Sequence, residues 1–245
     1  DDGTKMYVPD NNSGYVYQYS LSTAFDVSSA SYLNYYVSGV TAQSMSFNND
    51  GTKLFLLTAN QIREYSVSTA FDTSSTVSLT TYTSLSSQES AMAGFAFNND
   101  GTKMFTVGYN NDKVYEYALS TAFDVSSSSL SYTDSLSISS QETSPTDIRF
   151  NLDGTKMYIT GSAGRDINEY TLSTAFDISS TVTHKGSYSL ASSDSYPTGF
   201  SFNNDGSKLF TTGASYDRVN EHSLTTPFSL VDVSGEHSGD VINTS

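Results

Sequence analysis

The chain has 245 residues, of which 36% are hydrophobic and none is cysteine, so disulfide, thiol and cysteine-ligated zinc chemistry is excluded. Eleven basic residues against 26 acidic ones give a net charge of −15, which disfavours a nucleic-acid partner or an anionic membrane surface. No apolar run of about 18 residues predicts insertion into a membrane. Frequent serine, threonine, tyrosine and phenylalanine with few good helix formers predict an all-β protein.

Three short markers recur five times in the same order, about fifty residues apart. The first marker, Asp-Gly-Thr/Ser-Lys, begins at Asp2, Asp50, Asp100, Asp153 and Asp205. The second marker reads VYQY from Val16, IREY from Ile62, VYEY from Val114, INEY from Ile167 and VNEH from Val219. The third, Ser-Thr-Ala-Phe-Asp, begins at Ser22, Ser68, Ser120 and Ser173 and is degenerate at Thr225. Repeats of this length indicate a propeller or a solenoid.

Each repeat is predicted to hold four short strands, A to D, and the third repeat shows them best. Strand A covers 94–97, strand B covers 104–107, strand C covers 114–119, and strand D covers 130–138. The alternating apolar residues of strand D predict a half-buried outer strand. Between strands A and B, the NNDGTK segment predicts a tight turn in which Gly101 takes a positive φ. Helical periodicity is absent from the repeat.

Four strands repeated radially are typical of a β-propeller, because one such sheet cannot bury both of its faces but a ring of sheets can. We therefore predict a single five-bladed β-propeller domain over residues 1–245, with four antiparallel strands per blade. The predicted blades cover residues 1–40 with 240–245, 41–90, 91–142, 143–194 and 195–239. A stacked β-solenoid is the structural alternative.

The predicted ring is closed by the C-terminal strand, which completes the first blade. In this alignment Ile242 takes the place that Ile148 has in the fourth repeat. Closure would remove the exposed edge that an open sheet leaves free for pairing. The closing repeat is shorter than the others, and we expect the missing residues to be absent from the connection between strands C and D near Pro227.

The segment 197–224, PTGFSFNNDGSKLFTTGASYDRVNEHSL, resembles the repeats of the YVTN and WD40-like propeller families. In those repeats a strand–PDGK–strand hairpin precedes a glycine and then a V-x-x-hydrophobic strand. The resemblance covers nearly the whole chain as five units and implies the fold but no activity, since such families include scaffolds and enzymes. The repeated LSTAFD is similar to repeats of secreted and phage-encoded adhesive proteins. By size and blade count the chain is also similar to five-bladed animal lectins, whose sugar-site motifs it does not match.

The loops of the five repeats differ in how much they vary. The AB turns and CD connections are nearly constant, whereas the BC and DA connections, which a propeller places together on one face, vary. We therefore predict that the BC/DA face binds a ligand through stacking rings and hydrogen-bonding side chains; drift in unconstrained loops is the alternative. The candidate ligand-binding residues are Tyr109, Asn111, Asp112, Tyr196, Tyr216, Asp217, Asp147 and Arg149.

Two repeated sets of polar residues are predicted to be structural. The NNDGTK turns offer oxygen ligands for Ca²⁺ but lack the alternating carboxylates of a calcium loop, so we expect stabilised turns and predict no metal or cofactor. A glutamate recurs in strand C and a lysine in strand B, and we expect cross-strand pairs; a ring of carboxylate sites is the alternative. The pairs are Lys53 with Glu64, Lys103 with Glu116, Lys156 with Glu169 and Lys208 with Glu221.

These observations favour a non-catalytic, lectin-like or adhesive module that recognises a glycan or protein partner through its BC/DA face. We expect an acidic, secreted protein that is extracellular or surface-associated. The alternative is an extracellular glycoside hydrolase or polysaccharide lyase with a central-funnel site. Asp147 with Arg149 is the best funnel candidate, because the pair is the least repeated in the strands A. A structural or decoration module of a surface or phage assembly is the second alternative.

Overall fold

The computed structural model describes residues 2–216 and 218–230 and the backbone of 233–237. It confirms an all-β protein: five small antiparallel sheets form a ring, a five-bladed propeller with one short 3₁₀ helix at Val27–Ser29. Each sheet orders its strands along the chain, so neighbours in sequence pair as hairpins. Among the described residues, no helix is long and apolar enough to cross a lipid bilayer.

Strands are numbered in chain order, from the inner to the outer edge of each blade. The first blade holds β1 (Lys5–Pro9), β2 (Tyr15–Leu21) and β3 (Ala30–Val37). The second holds β4 (Ser44–Phe47), β5 (Lys53–Leu57), β6 (Gln61–Val67) and β7 (Val77–Ser84). The third holds β8 (Met92–Phe97), β9 (Lys103–Gly108), β10 (Lys113–Leu119) and β11 (Leu130–Ser137). The fourth holds β12 (Pro145–Phe150), β13 (Lys156–Gly161), β14 (Asp166–Leu172) and β15 (Val182–Ser189). The fifth holds β16 (Pro197–Phe202), β17 (Lys208–Gly213), β18 (Val219–Leu224) and β19 (Val233–His237).

In the described part of the chain, the first blade has strands B to D and the other blades have all four. The predicted closing segment, 240–245, lies outside the described residues. The expected shortening of the connection near Pro227 stays a prediction, since that connection reaches beyond the described residues.

The two constant markers contact each other within every blade. In the third blade, Gly101 has a φ of 71°, and the Phe123 amide donates to its carbonyl at 2.9 Å. The Phe123 ring lies where a side chain at position 101 would begin, only 2.2 Å from an added Cβ. Asp100 accepts hydrogen bonds from the amide and hydroxyl of Thr102, which completes the turn. The equivalent pairs are Gly3 with Phe25, Gly51 with Phe71, Gly154 with Phe176 and Gly206 with Phe228.

The repeated lysine and glutamate link each blade to the next. Lys103 and Glu116 form an ion pair at 2.7 Å, as expected. Lys103 also donates to the Phe176 carbonyl at 2.8 Å, and Glu116 accepts from the Ile178 amide at 3.1 Å. Both partners belong to the CD connection of the fourth blade. The same ion pairs join Lys53 with Glu64, Lys156 with Glu169 and Lys208 with Glu221.

The last of these links closes the ring. Lys208 of the fifth blade donates to the Phe25 carbonyl at 2.8 Å, and Glu221 accepts from the Val27 amide at 3.2 Å. In the first blade a neutral residue replaces the glutamate: Gln18 accepts from the Thr73 amide at 2.8 Å. Five links thus join the five blades, and apolar side chains fill the space between neighbouring sheets, as where the ring centroids of Phe105 and Phe150 lie 4.6 Å apart.

Candidate functional site

A cavity of about 670 Å³ runs along the axis of the ring. It is lined by the innermost strands of blades two to five and by β1 of the first blade. Two matching positions of each inner strand hold small residues in three blades and a charged pair in one. The small residues are Ser44 and Ser46, Gly94 and Ala96, and Gly199 and Ser201. The charged pair of the fourth blade is Asp147 and Arg149.

Asp147 is the central polar group of this cavity. Its side chain is 3% exposed, and its Oδ1 lies 2.9 Å from Nη1 of Arg149. Its Oδ2 accepts from the Phe200 amide of the fifth blade at 3.3 Å. Ser44 of the second blade donates to Oδ1 at 3.5 Å. One carboxylate therefore contacts side-chain and backbone groups of three blades near the axis.

The neighbouring blades make room for this carboxylate. A Cβ added at Gly94 of the third blade would lie 2.5 Å from both the Cα and Oδ1 of Asp147. At Gly199 of the fifth blade an added Cβ would lie 3.7 Å from Oδ2. Any larger residue at position 94 would displace the aspartate backbone, so this glycine is part of the site.

Arg149 makes its hydrogen bonds in the cavity through a single nitrogen of its guanidinium group. Its Nη1 donates to Asp147 Oδ1, to the Phe95 carbonyl and to the Ile148 carbonyl, the last two at 2.8 Å. The side chain is 25% exposed, in contrast to the buried aspartate. Because these bonds use one nitrogen, the rest of the guanidinium group is available to a ligand oxygen in the cavity.

Burial raises the pKa of Asp147 to about 6, although the positive charge of Arg149 and the Phe200 amide oppose this shift. The group is therefore a carboxylate at neutral pH and gains a proton in mildly acidic solution. A buried acid of this kind beside a cation in a cavity is typical of a functional site, because a base with a pKa near the working pH can both accept and release a proton.

Other acids of the BC/DA face have structural roles that sequence reasoning missed. Buried Glu89 accepts from the amides of Ser90, Ala91 and Asn111, and so joins the DA loop to the BC loop. Gly108 ends β9, and a Cβ added there would lie 2.7 Å from the side chain of Glu89.

Two other blades repeat this arrangement. Glu142 accepts from the amides of Ser144 and Gly164, and Asp194 accepts from those of Tyr196 and Ser215. The recurrence of SSQES, SSQET and SSDSY was the available signal, which we interpreted only as variable loop sequence.

The structure separates the predicted ligand-binding residues into three places. Asp147 and Arg149 line the axial cavity. Asn111 donates to the Gln88 carbonyl and to the Tyr115 hydroxyl, so its amide group already serves the BC loop of the third blade. Tyr109 is exposed in that loop, and Asp112, with a φ of 51°, forms its turn.

The third place is the loop pair of the fifth blade. The Ala214 amide donates to the Tyr196 carbonyl, and Arg218 lies 4.9 Å from the centre of the exposed Tyr216 ring. The predicted residue Asp217 lies outside the described residues. Among the described residues, no group of three or more histidines or acids could hold a metal ion.

No protein-family model and no curated protein matches the chain. Solved propeller structures match it well. A putative 6-phosphogluconolactonase from Bacteroides fragilis NCTC 9343 has a TM-score of 0.60 at 13% identity, covering 98% of this chain and 82% of its own. A putative 6-phosphogluconolactonase from Bacteroides uniformis ATCC 8492 gives 0.56 at 10%, covering 97% and 68%. The periplasmic gluconolactonase PpgL of Pseudomonas aeruginosa gives 0.55 at 15%, covering 99% and 69%. At these identities the likeness shows the fold.

These neighbours contradict our prediction of a non-catalytic glycan- or protein-binding module on the BC/DA face. They carry the names of lactonases, which are enzymes. Lectin, adhesin and secreted-protein character has no support from them. The extracellular or surface-associated location is contradicted as well, since PpgL is named as periplasmic.

Proposed function

We propose that this protein is a hydrolase that opens a lactone ring in its axial cavity. The observation that carries the proposal is the Asp147–Arg149 pair, the one charged pair among the small residues at matching positions of the described inner strands. The names of the lactonase neighbours support the same reaction class. The DGTK-type repeats support a second proposal, that the chain is a YVTN/WD40-like propeller.

In the proposed reaction Asp147 is the general base. It takes a proton from a water molecule, whose oxygen attacks the lactone carbonyl carbon. Arg149 stabilises the negative charge that develops on the carbonyl oxygen. When the tetrahedral intermediate collapses, the bond to the ring oxygen breaks, and protonated Asp147 returns the proton to that oxygen. The product is an open-chain hydroxy acid, and the carboxylate is regenerated.

The charges of the cavity favour an uncharged lactone over a phosphorylated one. Three cationic residues of the described part of the chain line the cavity, and each already donates to protein groups, which leaves few donors free. Lys5 donates to the Phe71 carbonyl, Arg218 donates to the Ser193 carbonyl, and Arg149 is paired with an acid. A phosphate dianion needs several unengaged donors, and it would meet the Asp147 carboxylate. We therefore expect an unphosphorylated sugar lactone as the substrate.

Hydrolysis of glucono-1,5-lactone tests the function. The assay measures the release of acid and compares its rate with that of spontaneous hydrolysis. We expect Asp147→Asn to lower kcat/KM by about 100-fold or more, because the variant has no base. Glu64→Gln is the matched control, since glutamine stands at that position in the first blade, and its rate is expected to stay within about twofold. Wild-type rates no higher than the spontaneous rate across a panel of lactones would sink the proposal.

The pH dependence gives a second test of the same assignment. Because the pKa of Asp147 is raised to about 6, kcat/KM is expected to rise tenfold per pH unit below that value and to level off above it. Arg149→Lys keeps the positive charge and is expected to retain more activity than Arg149→Gln. A flat profile between pH 5 and 7 (about the pKa) would remove Asp147 as the base.

A further inference from the structure

The outer part of the first blade carries a face of tyrosines, which we call the tyrosine face: Tyr15 and Tyr17 of β2, with Tyr32 and Tyr35 of β3. Tyr32 is 52% exposed and Tyr35 is 48% exposed. The rings of Tyr15 and Tyr35 are stacked with centroids 4.6 Å apart, and Tyr17 lies 6.2 Å from Tyr35. Cross-strand stacking holds these rings in place, so the exposed surface is ordered in advance of any contact.

The two strands of this face carry no charged residue, and the acid at its edge, Asp10, is held by the Ser13 hydroxyl. Between Asp10 and Asp50 the sequence has one charged residue, Asp26, which lies in the CD connection. The neighbouring blades differ at the matching places. In the second blade Arg63 takes the place of Tyr17, and Tyr15 is replaced by Lys113 in the third blade and by Asp166 in the fourth.

We propose that the tyrosine face is the contact surface between two copies of this chain. Each copy carries a net charge of −15, so two copies repel each other wherever their acidic surfaces meet. An uncharged face is where that repulsion is smallest. A two-fold contact brings the same face of each copy together, and stacking rings with hydroxyl groups that both donate and accept are self-complementary.

Sedimentation equilibrium of the wild-type chain at low and high salt tests this proposal. A face of four tyrosines is small for a stable interface, so we expect a dimer with a Kd of about 10–100 μM. The Kd should fall at high salt, because salt screens the repulsion between the two acidic chains. A chain that stays monomeric at several times that concentration at both salt levels overturns the proposal.

Two variants locate the contact. Tyr35→Ser introduces the residue that stands at the same register position in the third and fourth blades, so the fold is expected to tolerate it. We expect it to raise the Kd tenfold or more. Tyr82→Ser removes the matching tyrosine of the second blade and should leave the Kd within twofold. An equal rise in Kd for both variants, or a Kd unchanged by Tyr35→Ser, refutes the assignment of this face. Thermal melting of each variant confirms folding.

Discussion

At the residue scale, the glycine of the AB turn is required for two separable reasons. Gly101 has a positive φ, which an L-residue adopts only with strain, and the Phe123 ring occupies the space of a side chain. The sequence predicted the turn and its positive φ from the Asp-Gly pair. It could not predict the ring contact, because the phenylalanine follows some twenty residues later and packs there only after the blade has formed.

Replacing Gly101 with alanine is expected to lower the free energy of unfolding by about 3 kcal/mol or more, from backbone strain and displacement of the ring. Gly39→Ala is the matched control. Gly39 also has a φ of 70°, but an added Cβ meets nothing within 4 Å. That variant should lose only about 1 kcal/mol. Urea unfolding measures both, and equal losses would mean that the ring contact contributes nothing.

The same scale shows how much of the candidate site the sequence revealed. Asp147 and Arg149 could be singled out because they break a repeat, and their meeting in the axial cavity agrees with the funnel that sequence reasoning considered. The pKa of Asp147 could not be anticipated, since it depends on burial by the second, third and fifth blades. The roles of Glu89 and Glu142 could not be anticipated either, since a buried acid that accepts from loop amides has the same sequence appearance as an available one.

At the scale of elements, the lysine–glutamate pairs do more than join two strands. Sequence periodicity predicted the cross-strand pair correctly, because Lys103 and Glu116 are diagonal neighbours on adjacent strands. The second half of each link, to the CD connection of the next blade, depends on how the sheets pack and has no local signal. Because the lysine and glutamate contact backbone groups of that connection, the link depends on its path and not on its side chains.

Removing one residue of a lysine–glutamate pair tests how much the contact with the next blade contributes to stability. Glu116→Ala leaves the Ile178 amide without its acceptor and Lys103 without its counter-charge. We expect the free energy of unfolding to fall by about 2–4 kcal/mol, at the lower end because the lysine is 31% exposed. Glu116→Gln keeps an acceptor for the amide, as Gln18 does in the first blade, and should lose about 1 kcal/mol. Denaturant unfolding compares them. If alanine and glutamine cost the same, the amide contact carries no stability.

At the scale of the whole molecule, repeat counting predicted five blades around one axis, because a repeat fixes the number of sheets that must share a core. It assigned closure of the ring to residues 240–245, which lie outside the described residues. The described closure is a link between side chains of the fifth blade and the backbone of the first. Such a contact between the two ends of the repeat array is invisible to pattern analysis of either end.

The buried aspartate should make the whole fold less stable as pH rises. Its pKa is raised in the folded protein to about 6 from an ordinary 3.8, so folding favours the protonated form. Relative to Asp147→Asn, the wild type should therefore lose stability between about pH 4 and pH 6, by about 3 kcal/mol in total. Thermal or urea unfolding at several pH values measures the difference. A gap that stays constant with pH would show that Asp147 titrates normally.

Four of the five links between blades point forward along the chain, and this direction has a consequence for synthesis on the ribosome. Lys5 and Gln18 are made before the segment of the second blade that they hold. For blades two to five, the residues that bind the CD connection are therefore already present when that connection emerges. The CD connection of the first blade is the exception, because its anchors, Lys208 and Glu221, are translated near the end. The earliest blade is therefore the last to be secured, and nascent chains that stop short of Lys208 should be cut by protease near Phe25.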